Sequence, residues 1–493
     1  QLRNLKWMDL SDSEDLKELP NLSTATNLEE LKLINCSSLV ELPSSFEKLT
    51  SLQILDLQDC SSLVELPSFG NTTKLKKLDL GNCSSLVKLP AIENATKLRE
   101  LNLQDCSSLI ELPPSIGTAT NLKHLDFSGC SSLVKLPSSI GDMTNLEVFD
   151  LSNCSSLVEL PSSIGNLQKL YMLRMSGCSK LEALPTNINL KSLDTLNLTD
   201  CSRLKSFPEI STHIEFLILK GTGIKEVPLS IMEWSPLAEF QISYFESLRE
   251  FPHALDIITG LWLSKSDIQE VAPWVKRMSR LRVLTLNNCN NLVSLPQLPD
   301  SLAYLYADNC KSLERLDCCF NNPEIRLYFP KCFKLNQEAR DLIMHTSTRN
   351  FAMLPGTQVP ACFNHRATSG DYLKIKLKES SLPTTLRFKA CIMLVNEQMS
   401  YDWISMGVGI VIRVKQNDLK VLCTPSGCYI YPLLTEHIYT FELEVEEVTS
   451  TELVFEFTLD KGSNWKIGEC GILQRETRSL RRSSSPDLSP ESS

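Results

Sequence analysis

The sequence predicts two kinds of β-structure in one chain: a solenoid of short stacked repeats, followed by an all-β sandwich. Three observations support this prediction. A cysteine recurs at a nearly constant step, leucines alternate with polar residues ahead of each such cysteine, and longer alternating runs replace this pattern in the last third of the chain. Recurrence with a period of about 20 to 50 residues is the sequence signature of repeat architectures.

The repeat is marked by a cysteine every 23 or 24 residues, preceded by the frame Leu-x-Leu-x-x or a close variant. Eight cysteines share this step: Cys36, Cys60, Cys83, Cys106, Cys130, Cys154, Cys178 and Cys201. The frame returns with cysteine at Cys289 and Cys310, and without it at positions such as Ser13 and Thr222. The pattern predicts a leucine-rich-repeat solenoid of about fourteen repeats over residues 1–316.

Each repeat is expected to contribute one short parallel strand and an irregular return path. In Leu55-Asp56-Leu57 the two leucines alternate with a polar residue, so both turn inward and the aspartate turns outward. The repeat then ends in Leu-Pro, as at Leu42-Pro43. Because proline cannot donate to a strand ladder, we predict a convex side of loops and short turns.

The repeat cysteines are predicted to be packed thiols. Ten of the eighteen cysteines occupy the same inward position of a repeat, where stacked side chains point in parallel and not toward each other. A column of this kind offers no tetrahedral convergence for a metal ion. We therefore expect free thiols in a reducing compartment.

A second domain is predicted over residues 317–474, where the Leu-Pro units give way to alternating runs. Two of these runs alternate strictly, Tyr372–Lys378 and Phe441–Glu446, and they carry lysines and glutamates respectively on their outer faces, which predicts that the two strands are neighbours. Four further strands are expected at Leu386–Val395, Met406–Lys415, Glu452–Leu459 and Asn464–Gln474. Such a density of strands indicates a jelly-roll or Ig-like sandwich.

The last segment, residues 475–493, is rich in Ser, Pro and Arg. Because it cannot bury a core, we predict a disordered tail, with a nuclear-targeting role of its arginines as the alternative to a plain solvated segment.

The composition argues against several functional classes. Lys and Arg number 49 against 59 Asp and Glu, and the resulting net charge of −10 argues against a general nucleic-acid binder or a membrane-surface protein. The chain has no apolar run long enough for a predicted membrane span. It has no phosphate-binding Gly-rich motif, and its six histidines are scattered without metal-ligand spacing. We therefore predict no catalytic, cofactor or metal site.

The outward strand positions are the candidate binding surface. In the later repeats these positions hold large apolar residues, which are typical anchors of protein interfaces: Phe216, Ile218, Tyr244, Trp262, Val283, Tyr304 and Tyr306. The earlier repeats present an acidic set that is read either as an electrostatic stripe or as a solvated face: Asp56, Asp79, Asp126 and Asp150. In the competing interpretation the second domain packs on the aromatic residues. Substitution of the inward Leu101 is expected to be costly, and substitution of the outward Asn102 is expected to be tolerated.

Three segments resemble one protein family. The unit CSSLVELP at residues 36–43, the run FKLNQEAR at 333–340 and the run LPGTQVP at 354–360 are similar to those of plant intracellular disease-resistance receptors of the TIR, nucleotide-binding, leucine-rich-repeat class. The first unit looks especially like the downy-mildew-resistance group. The resemblance covers nearly the whole chain except the tail, and it implies repeats followed by a C-terminal jelly-roll and Ig-like domain.

The resemblance also implies a function. In such a receptor the repeats and the jelly-roll domain bind a pathogen effector protein, which releases a nucleotide-binding module; the activated full-length receptor then forms a homo-oligomer whose TIR domains cleave NAD. Neither of these modules occurs in this sequence, so no enzymatic activity is expected here. The first five residues already lie inside a repeat, so we expect a missing N-terminal part. The expected location is the cytoplasm, and also the nucleus.

Two alternatives belong to other functional classes. The surface is either an autoinhibitory or scaffolding surface for the receptor's own nucleotide-binding and TIR modules, or a substrate-recruitment arm of an enzyme such as a ubiquitin ligase. The predicted jelly-roll segment argues against the second alternative.

Overall fold

The computed structural model describes residues 2–69, 73–92, 96–234, 237–264, 267–346, 351–368, 371–377, 384–396, 408–425, 427–430, 437–460 and 465–475. The chain forms two compact units. The N-terminal unit comprises Gln1–Leu263 and Arg277–Arg282, and the C-terminal unit comprises Ser264–Lys276 and Val283–Ser493.

The N-terminal unit is a ladder of short parallel strands, one from each repeat. Neighbours along the chain pair in parallel from the first repeat onward. The strands are β1 (Trp7–Asp9), β2 (Glu30–Lys32), β3 (Ile54–Asp56), β4 (Lys77–Asp79), β5 (Glu100–Asn102), β6 (His124–Asp126), β7 (Val148–Asp150), β8 (Met172–Arg174), β9 (Thr195–Asn197), β10 (Phe216–Leu219), β11 (Glu239–Ser243) and β12 (Gly260–Ser264). This confirms the predicted leucine-rich-repeat solenoid.

The return paths contain short turns of 3₁₀ helix, most of them directly after the Leu-Pro pair. Such helices occur at Ser44–Lys48, Pro114–Thr118, Ser138–Asp142, Ser162–Asn166, Leu229–Glu233, Glu246–Glu250 and Pro273–Arg277, and α1 is the single turn Pro252–Leu255. Pro43, which lies before the first of these helices, has an extended backbone with a φ of −67°. This φ is the one that the proline ring imposes.

The repeat cysteines form a hydrogen-bonded column. The Sγ of Cys60 donates to the carbonyl of Leu33, 3.1 Å away, and the Sγ of Cys83 donates to that of Leu57 at 3.2 Å. The same bond to the preceding repeat is made by the later cysteines, through Cys201. The same carbonyls also accept the backbone N–H of the cysteine in their own repeat, for example Cys36 N–H to Leu33 at 3.2 Å, so the Sγ is a second donor to a buried carbonyl with two lone pairs.

The residue directly before each cysteine has a left-handed backbone conformation, and it makes the turn that brings the cysteine into this column. The position is filled by Asp or Asn in most repeats, for example Asp59 with φ 62° and Asn82 with φ 62°. These residue types and glycine tolerate positive φ best. Glycine is required at Gly129, because a Cβ there would lie 2.0 Å from Oδ1 of Asp105 in the preceding repeat.

The C-terminal unit begins with further parallel strands. They are β13 (Val283–Asn287), β14 (Ser294–Leu295), β15 (Tyr304–Tyr306), β16 (Arg315–Leu316) and β17 (Arg326–Tyr328). Strands β13, β15 and β17 pair in this order, and β14 pairs with β16. The repeat pattern therefore continues past residue 316, the predicted end of the repeats: the Sγ of Cys332 donates to the carbonyl of Ala307 at 2.9 Å. The predicted boundaries themselves stay predictions.

Eleven strands follow among the described residues, together with the helix α2 (Gln337–His345). They are β18 (Phe351–Pro355), β19 (His365–Ala367), β20 (Tyr372–Lys376), β21 (Thr385–Asn396), β22 (Val408–Gln416), β23 (Leu419–Val421), β24 (Cys423–Thr424), β25 (Gly427–Ile430), β26 (His437–Glu446), β27 (Glu452–Leu459) and β28 (Trp465–Arg475). One sheet contains β18, β26, β21, β28 and β19, with β24 on β26, and the other contains β20, β27, β22, β23 and β25.

Strand β18 joins the two kinds of sheet. It is parallel to the last repeat strand β17 on one side and antiparallel to β26 on the other. Within the C-terminal unit, the parallel repeat strands β13, β15 and β17 thus share one hydrogen-bonded sheet with the antiparallel strands.

The two antiparallel sheets pack face to face over one core. Phe388 of β21 meets Phe455 of β27 with ring centroids 5.0 Å apart, and Phe441 of β26 meets Phe457 of β27 at 6.4 Å. These four rings are all buried. The predicted sandwich is confirmed in this respect, and the jelly-roll topology stays a prediction.

The six predicted strands of this domain all occur, with ends that differ by a few residues. Residues 378, 406, 407 and 464 of these predictions, and the tail from 476 onward, lie outside the described part of the chain. Arg475, predicted to begin the tail, is the last residue of β28.

The predicted pairing of the lysine strand with the glutamate strand is wrong. Strand β20 pairs with β27, where Lys374 forms an ion pair with Glu452, whereas β26 lies in the other sheet. On β26 the carboxylate of Glu444 instead lies 3.4 Å from Arg387 of β21. Each of the two charged strands pairs with a different strand that carries the opposite charge. Cross-strand ion pairs are too weak to determine the strand order.

A buried lysine holds the end of helix α2. The Nζ of Lys389 on β21 donates to the carbonyls of Ile343 at 3.3 Å and Thr346 at 2.8 Å. Arg475 Nη2 donates to the carbonyl of His345 at 3.1 Å. Two side-chain nitrogen donors thus satisfy the last carbonyls of α2. Burial, and then the charge of Arg475, lower the pKa of Lys389 to about 7.

Candidate functional site

The candidate site is the outward side of the repeat strands, which carries the side chains that alternate with the buried leucines. In the N-terminal unit the strand register brings one outward residue per repeat into a continuous row. This row, called the outward row below, consists of Asp9, Lys32, Asp56, Asp79, Asn102, Asp126, Asp150, Arg174, Asn197 and Ile218. All four predicted acidic residues therefore lie in one row.

The aspartates of the outward row have a structural role. Oδ1 of Asp126 accepts the N–H of Ser128 at 2.8 Å, and Oδ1 of Asp150 accepts the N–H of Ser152 at 2.9 Å. Asp56 and Asp79 make the same bond two residues ahead. Each carboxylate therefore caps the turn that ends its strand, in the manner of an Asx-turn.

Two cations of the same face offset part of the acidic charge. The Nζ of Lys77 lies 3.4 Å from Oδ2 of Asp56 and 3.3 Å from Oδ2 of Asp79, and Arg174 lies 3.5 Å from Oδ2 of Asp150. Burial alone would lower the pKa of Lys77, but the carboxylates of Asp56 and Asp79 together raise it above its ordinary value. The predicted acidic stripe is therefore a row in which cations neutralise part of the charge. Its carboxylates are not equally free to bind a partner.

The hydrogen bonds of Asn102 argue against the expectation that its substitution is tolerated. Its Oδ1 accepts the N–H of Gln104 at 2.9 Å, and its Nδ2 donates to Oδ1 of Asp79 at 2.9 Å. The amide therefore caps its own turn and links two repeats. The neighbouring outward residue Glu100 is exposed, and it is the better example of a replaceable position.

The predicted aromatic residues fall into both compact units. In the N-terminal unit Phe216 is 37% exposed, and Trp262 is half-buried beneath the Nζ of Lys220, 4.6 Å from the ring centroid. Ile218 lies in the outward row. Tyr244 lies one residue beyond the end of β11, so it is out of phase with the outward residues Gln241 and Ser243 of that strand.

In the C-terminal unit Tyr304 and Tyr306 form the centre of an aromatic cluster. Their rings stack with centroids 6.1 Å apart, and Tyr306 meets Tyr328 edge-on at 5.9 Å. The guanidinium of Arg326 lies 5.2 Å from the centroid of the Tyr304 ring. Val283 is the register partner of Tyr304 on β13. We call Tyr304, Tyr306, Arg326 and Tyr328 the tyrosine cluster.

The rings of the tyrosine cluster are half-buried. Burial, followed by the nearby Tyr304, raises the pKa of Tyr306, and burial, followed by Asp308, raises that of Tyr328. These hydroxyls are therefore protonated at neutral pH and can donate hydrogen bonds to a partner. Stacked rings with a fixed cation lose little conformational entropy on binding.

Sequence reasoning missed Arg326 and Tyr328. Their repeat carries the frame Leu327-x-Phe329-x-x-Cys332, in which phenylalanine replaces the second leucine. The cysteine step of this repeat, together with the apolar residues Leu327 and Phe329 at the two inward positions of the frame, is the sequence signal that extends the repeats beyond residue 316.

The described residues contain no group of three or more His, Cys, Asp or Glu side chains arranged to hold a metal ion. Within the same part of the chain, no helix has the length and apolar character that crossing a membrane requires.

Two family models match this chain, a leucine-rich repeat region at residues 83–212 and a C-JID domain at residues 354–444. Over 497 aligned residues the chain is 80% identical to "Probable disease resistance protein RPP1" of Arabidopsis thaliana, which covers 100% of the chain and 39% of that relative. The chain belongs to the disease resistance proteins of plants. The resemblance to TIR-type nucleotide-binding leucine-rich-repeat receptors is thereby confirmed.

Two further disease resistance proteins of Arabidopsis thaliana are similar over parts of this family member. TAO1 is 52% identical over 172 residues, which are 35% of this chain and 14% of that protein. RML1A is 38% identical over 307 residues, covering 60% of this chain and 30% of that protein. The chain thus spans about two fifths or less of the length of these three relatives.

Proposed function

We propose that this chain is the ligand-sensing region of an intracellular plant immune receptor, and that it binds a pathogen effector protein to trigger defence signalling. The proposed surface combines the outward face of the repeat strands with the C-JID sandwich. The family supports the first part, since the relatives are disease resistance proteins. The choice of surface rests on the side chains themselves.

The observation that carries the proposal is the tyrosine cluster. Tyr304 and Tyr306 stand on β15 on either side of the fully buried Leu305, and their stacked rings remain accessible in part. Tyrosine and arginine are the residue types most enriched among the energetically dominant contacts of protein interfaces. The outward side chains can vary while the inward leucines keep the fold, so specificity can change without loss of stability.

The partners in the same receptor are proposed from the family. The relatives are longer than this chain, and we assign to the remaining length the nucleotide-binding and TIR modules that switch and cleave NAD. Homo-oligomer formation is assigned to the activated full-length receptor, in the cytoplasm and the nucleus. No catalytic role is assigned to this chain.

An autoinhibitory role of the acidic residues is the second candidate. The outward row favours it through Asp126, whose Oδ2 is left for a basic partner surface after Oδ1 caps its turn. The neutralisation of Asp56 and Asp79 by Lys77 weakens it. Reversal of Asp126 and Asp150 to Lys should raise resting activity of the full receptor if this alternative is right.

A binding screen tests the main proposal. The immobilised chain is exposed to a panel of secreted pathogen proteins by interferometry, and each hit is measured again with Tyr304→Ala plus Tyr306→Ala, and with Tyr372→Ala on the outer face of the C-JID sandwich, where this ring is 63% exposed. Leu229→Ala, an exposed apolar residue on a 3₁₀ helix, is the control. Weakening by the cluster variants with an unchanged control supports the proposal. Hits that none of these variants weaken would contradict the choice of surface.

A further inference from the structure

A row of exposed aliphatic side chains runs along six successive repeats of the N-terminal unit. It occupies the position after the leucine that follows each cysteine, as in Leu39-Val40-Glu41-Leu42. This aliphatic row consists of Val40, Val64, Val87, Ile110, Val134 and Val158. Its first five members are 37% to 48% exposed, and Val158 is half-buried. Contiguous exposed apolar surface of this kind is typical of an interaction site.

The aliphatic row is held in register by its own hydrogen-bond ladder. The N–H of Val64 donates to the carbonyl of Val40 at 3.1 Å, and Val87 donates to Val64 at 3.1 Å. The ladder continues through Ile110 and Val134 to Val158. With neighbouring backbones about 4.8 Å apart, the row is a line of regularly spaced aliphatic side chains.

The row ends in opposite charges. Lys17 occupies the same repeat position one repeat before Val40, and Glu182 occupies it one repeat after Val158. Both belong to the ladder, because Val40 donates to Lys17 and Glu182 donates to Val158. Both side chains are exposed, and Glu182 also lies 3.6 Å from the exposed Arg203. The surface therefore runs from a cation through six aliphatic residues to an anion.

A second row of exposed charges lies beside the first. It occupies the next residue of each repeat, and isolated parallel bridges such as Glu41 to Glu65 and Lys88 to Glu111 keep its members adjacent. Its charges along the repeats are negative at Glu41 and Glu65, positive at Lys88, and then alternate to Glu159.

We propose that these two rows form an interface with a second copy of this chain. A two-fold axis in the plane of the surface and perpendicular to the rows reverses the order of the repeats, but it keeps each row opposite itself. Val87 then faces Ile110 of the second copy, and Val64 faces its Val134. Lys17 at one end faces Glu182 at the other.

The charged row is complementary to itself under the same operation. Two of its opposed pairs carry opposite charges: Glu65 with Lys135, and Lys88 with Glu111. Since each pair occurs twice about the axis, six attractive contacts, including those of Lys17 with Glu182, stand against the two like-charge contacts of Glu41 with Glu159. This balance selects a second copy in antiparallel order as the occupant.

The interface should be weak, since eight repeats at about 4.8 Å span roughly 34 Å, and a surface of this length is at the low end for specific complexes. It is separate from the tyrosine cluster and does not depend on effector binding. A chain that self-associates without binding effectors, or the reverse, distinguishes the two proposals.

Sedimentation equilibrium of the whole chain tests the interface. We expect concentration-dependent dimers of the wild type, and about tenfold or greater weakening by Val87→Asp, because the charge is buried twice against Ile110. Leu229→Asp, an exposed apolar residue outside the row, should leave association unchanged. A wild type that sediments as a monomer throughout, or equal weakening by both variants, would overturn the interface.

Charge exchange tests the antiparallel order. Glu65→Lys and Lys135→Glu each place like charges opposite one another in a dimer of identical chains, so each variant alone should associate more weakly than the wild type. A mixture of the two variants restores both opposite-charge pairs in the mixed dimer, and association should return. Failure of the mixture to associate better than either variant alone would reject the proposed axis.

Discussion

The Sγ of Cys130 donates a hydrogen bond to the backbone carbonyl of Leu103, 3.1 Å away and one repeat earlier in the chain. The neighbouring cysteines make the same bond, so the column joins each repeat to the one before it. The cysteine that marks the repeat in the sequence is therefore a structural hydrogen-bond donor in a fully buried site.

Removal of this donor should destabilise the N-terminal unit. Cys130→Ala removes one of the two donors to the Leu103 carbonyl, leaving the N–H of Cys106, and opens a small cavity, which should lower the free energy of unfolding by about 1–2 kcal/mol. Urea denaturation followed by circular dichroism measures the change. Cys319→Ala, at an exposed cysteine, is the control. Equal stability of the two variants would show that the sulfur bond contributes nothing.

The cysteine column predicts alkaline destabilisation. Burial raises the pKa of Cys130 from 9.0 to about 12, so between these values an unfolded thiol loses a proton that the folded thiol retains. The contribution of the thiol to stability is fully present below pH 9 and is lost as pH rises toward 12, at up to about 1.4 kcal/mol per pH unit. Cys130→Ser, which does not titrate in this window, should lose less stability than the wild type between pH 8.5 and 10.5. Parallel pH profiles of the two proteins would contradict this assignment.

Lys389 predicts a pH dependence of the opposite sign in the C-terminal unit. Its folded-state pKa of about 7 lies below the ordinary value of 10.5, so between these values the unfolded chain binds a proton that the folded chain does not. Stability contributed at this site rises with pH across that window. Lys389→Met should remove this rise, so the stability of the variant relative to wild type should fall from pH 7 to pH 9.5 in urea titrations. A difference that is constant with pH would refute the buried, neutral lysine.

The outward residues should differ in their tolerance of substitution. Asn102→Ala breaks its bonds to Gln104 and Asp79 and should cost about 1 kcal/mol, whereas Glu100→Ala should stay within about 0.5 kcal/mol. Leu101→Ala, at a buried position between them, should cost about 2–5 kcal/mol. Thermal melts of the three variants check this order, and an Asn102 variant as stable as the Glu100 variant would deny the role of the turn cap.

The repeat fold was predictable because each of its contacts repeats with the sequence. Leu55 and Leu57 are both fully buried, and Asp56 between them lies on the outward side, as the alternation predicts. The long strand over 452–459 was likewise located to the residue. In these cases a local pattern and the tertiary environment impose the same requirement.

The remainder depended on contacts between residues far apart in the chain. The charges of the lysine strand could not predict its partner strand, because more than one strand of this domain carries acidic residues. In the structure Lys374 pairs with Glu452. The role of Lys389 is set by helix α2, more than forty residues earlier in the chain. Two of the four residues of the tyrosine cluster were predicted. Tyr304 and Tyr306 lie in a regular repeat, whereas Arg326 and Tyr328 lie in a repeat whose second leucine is replaced by phenylalanine.

The most direct test of the proposed sensing function is the dissociation constant of the chain for a secreted pathogen protein found in the screen, measured by calorimetry with wild type, Tyr306→Ala and Leu229→Ala. If the tyrosine cluster is the recognition site, Tyr306→Ala should bind about thirtyfold more weakly, and Leu229→Ala should bind like the wild type. Dissociation constants that agree within about twofold for all three proteins would contradict recognition by this face.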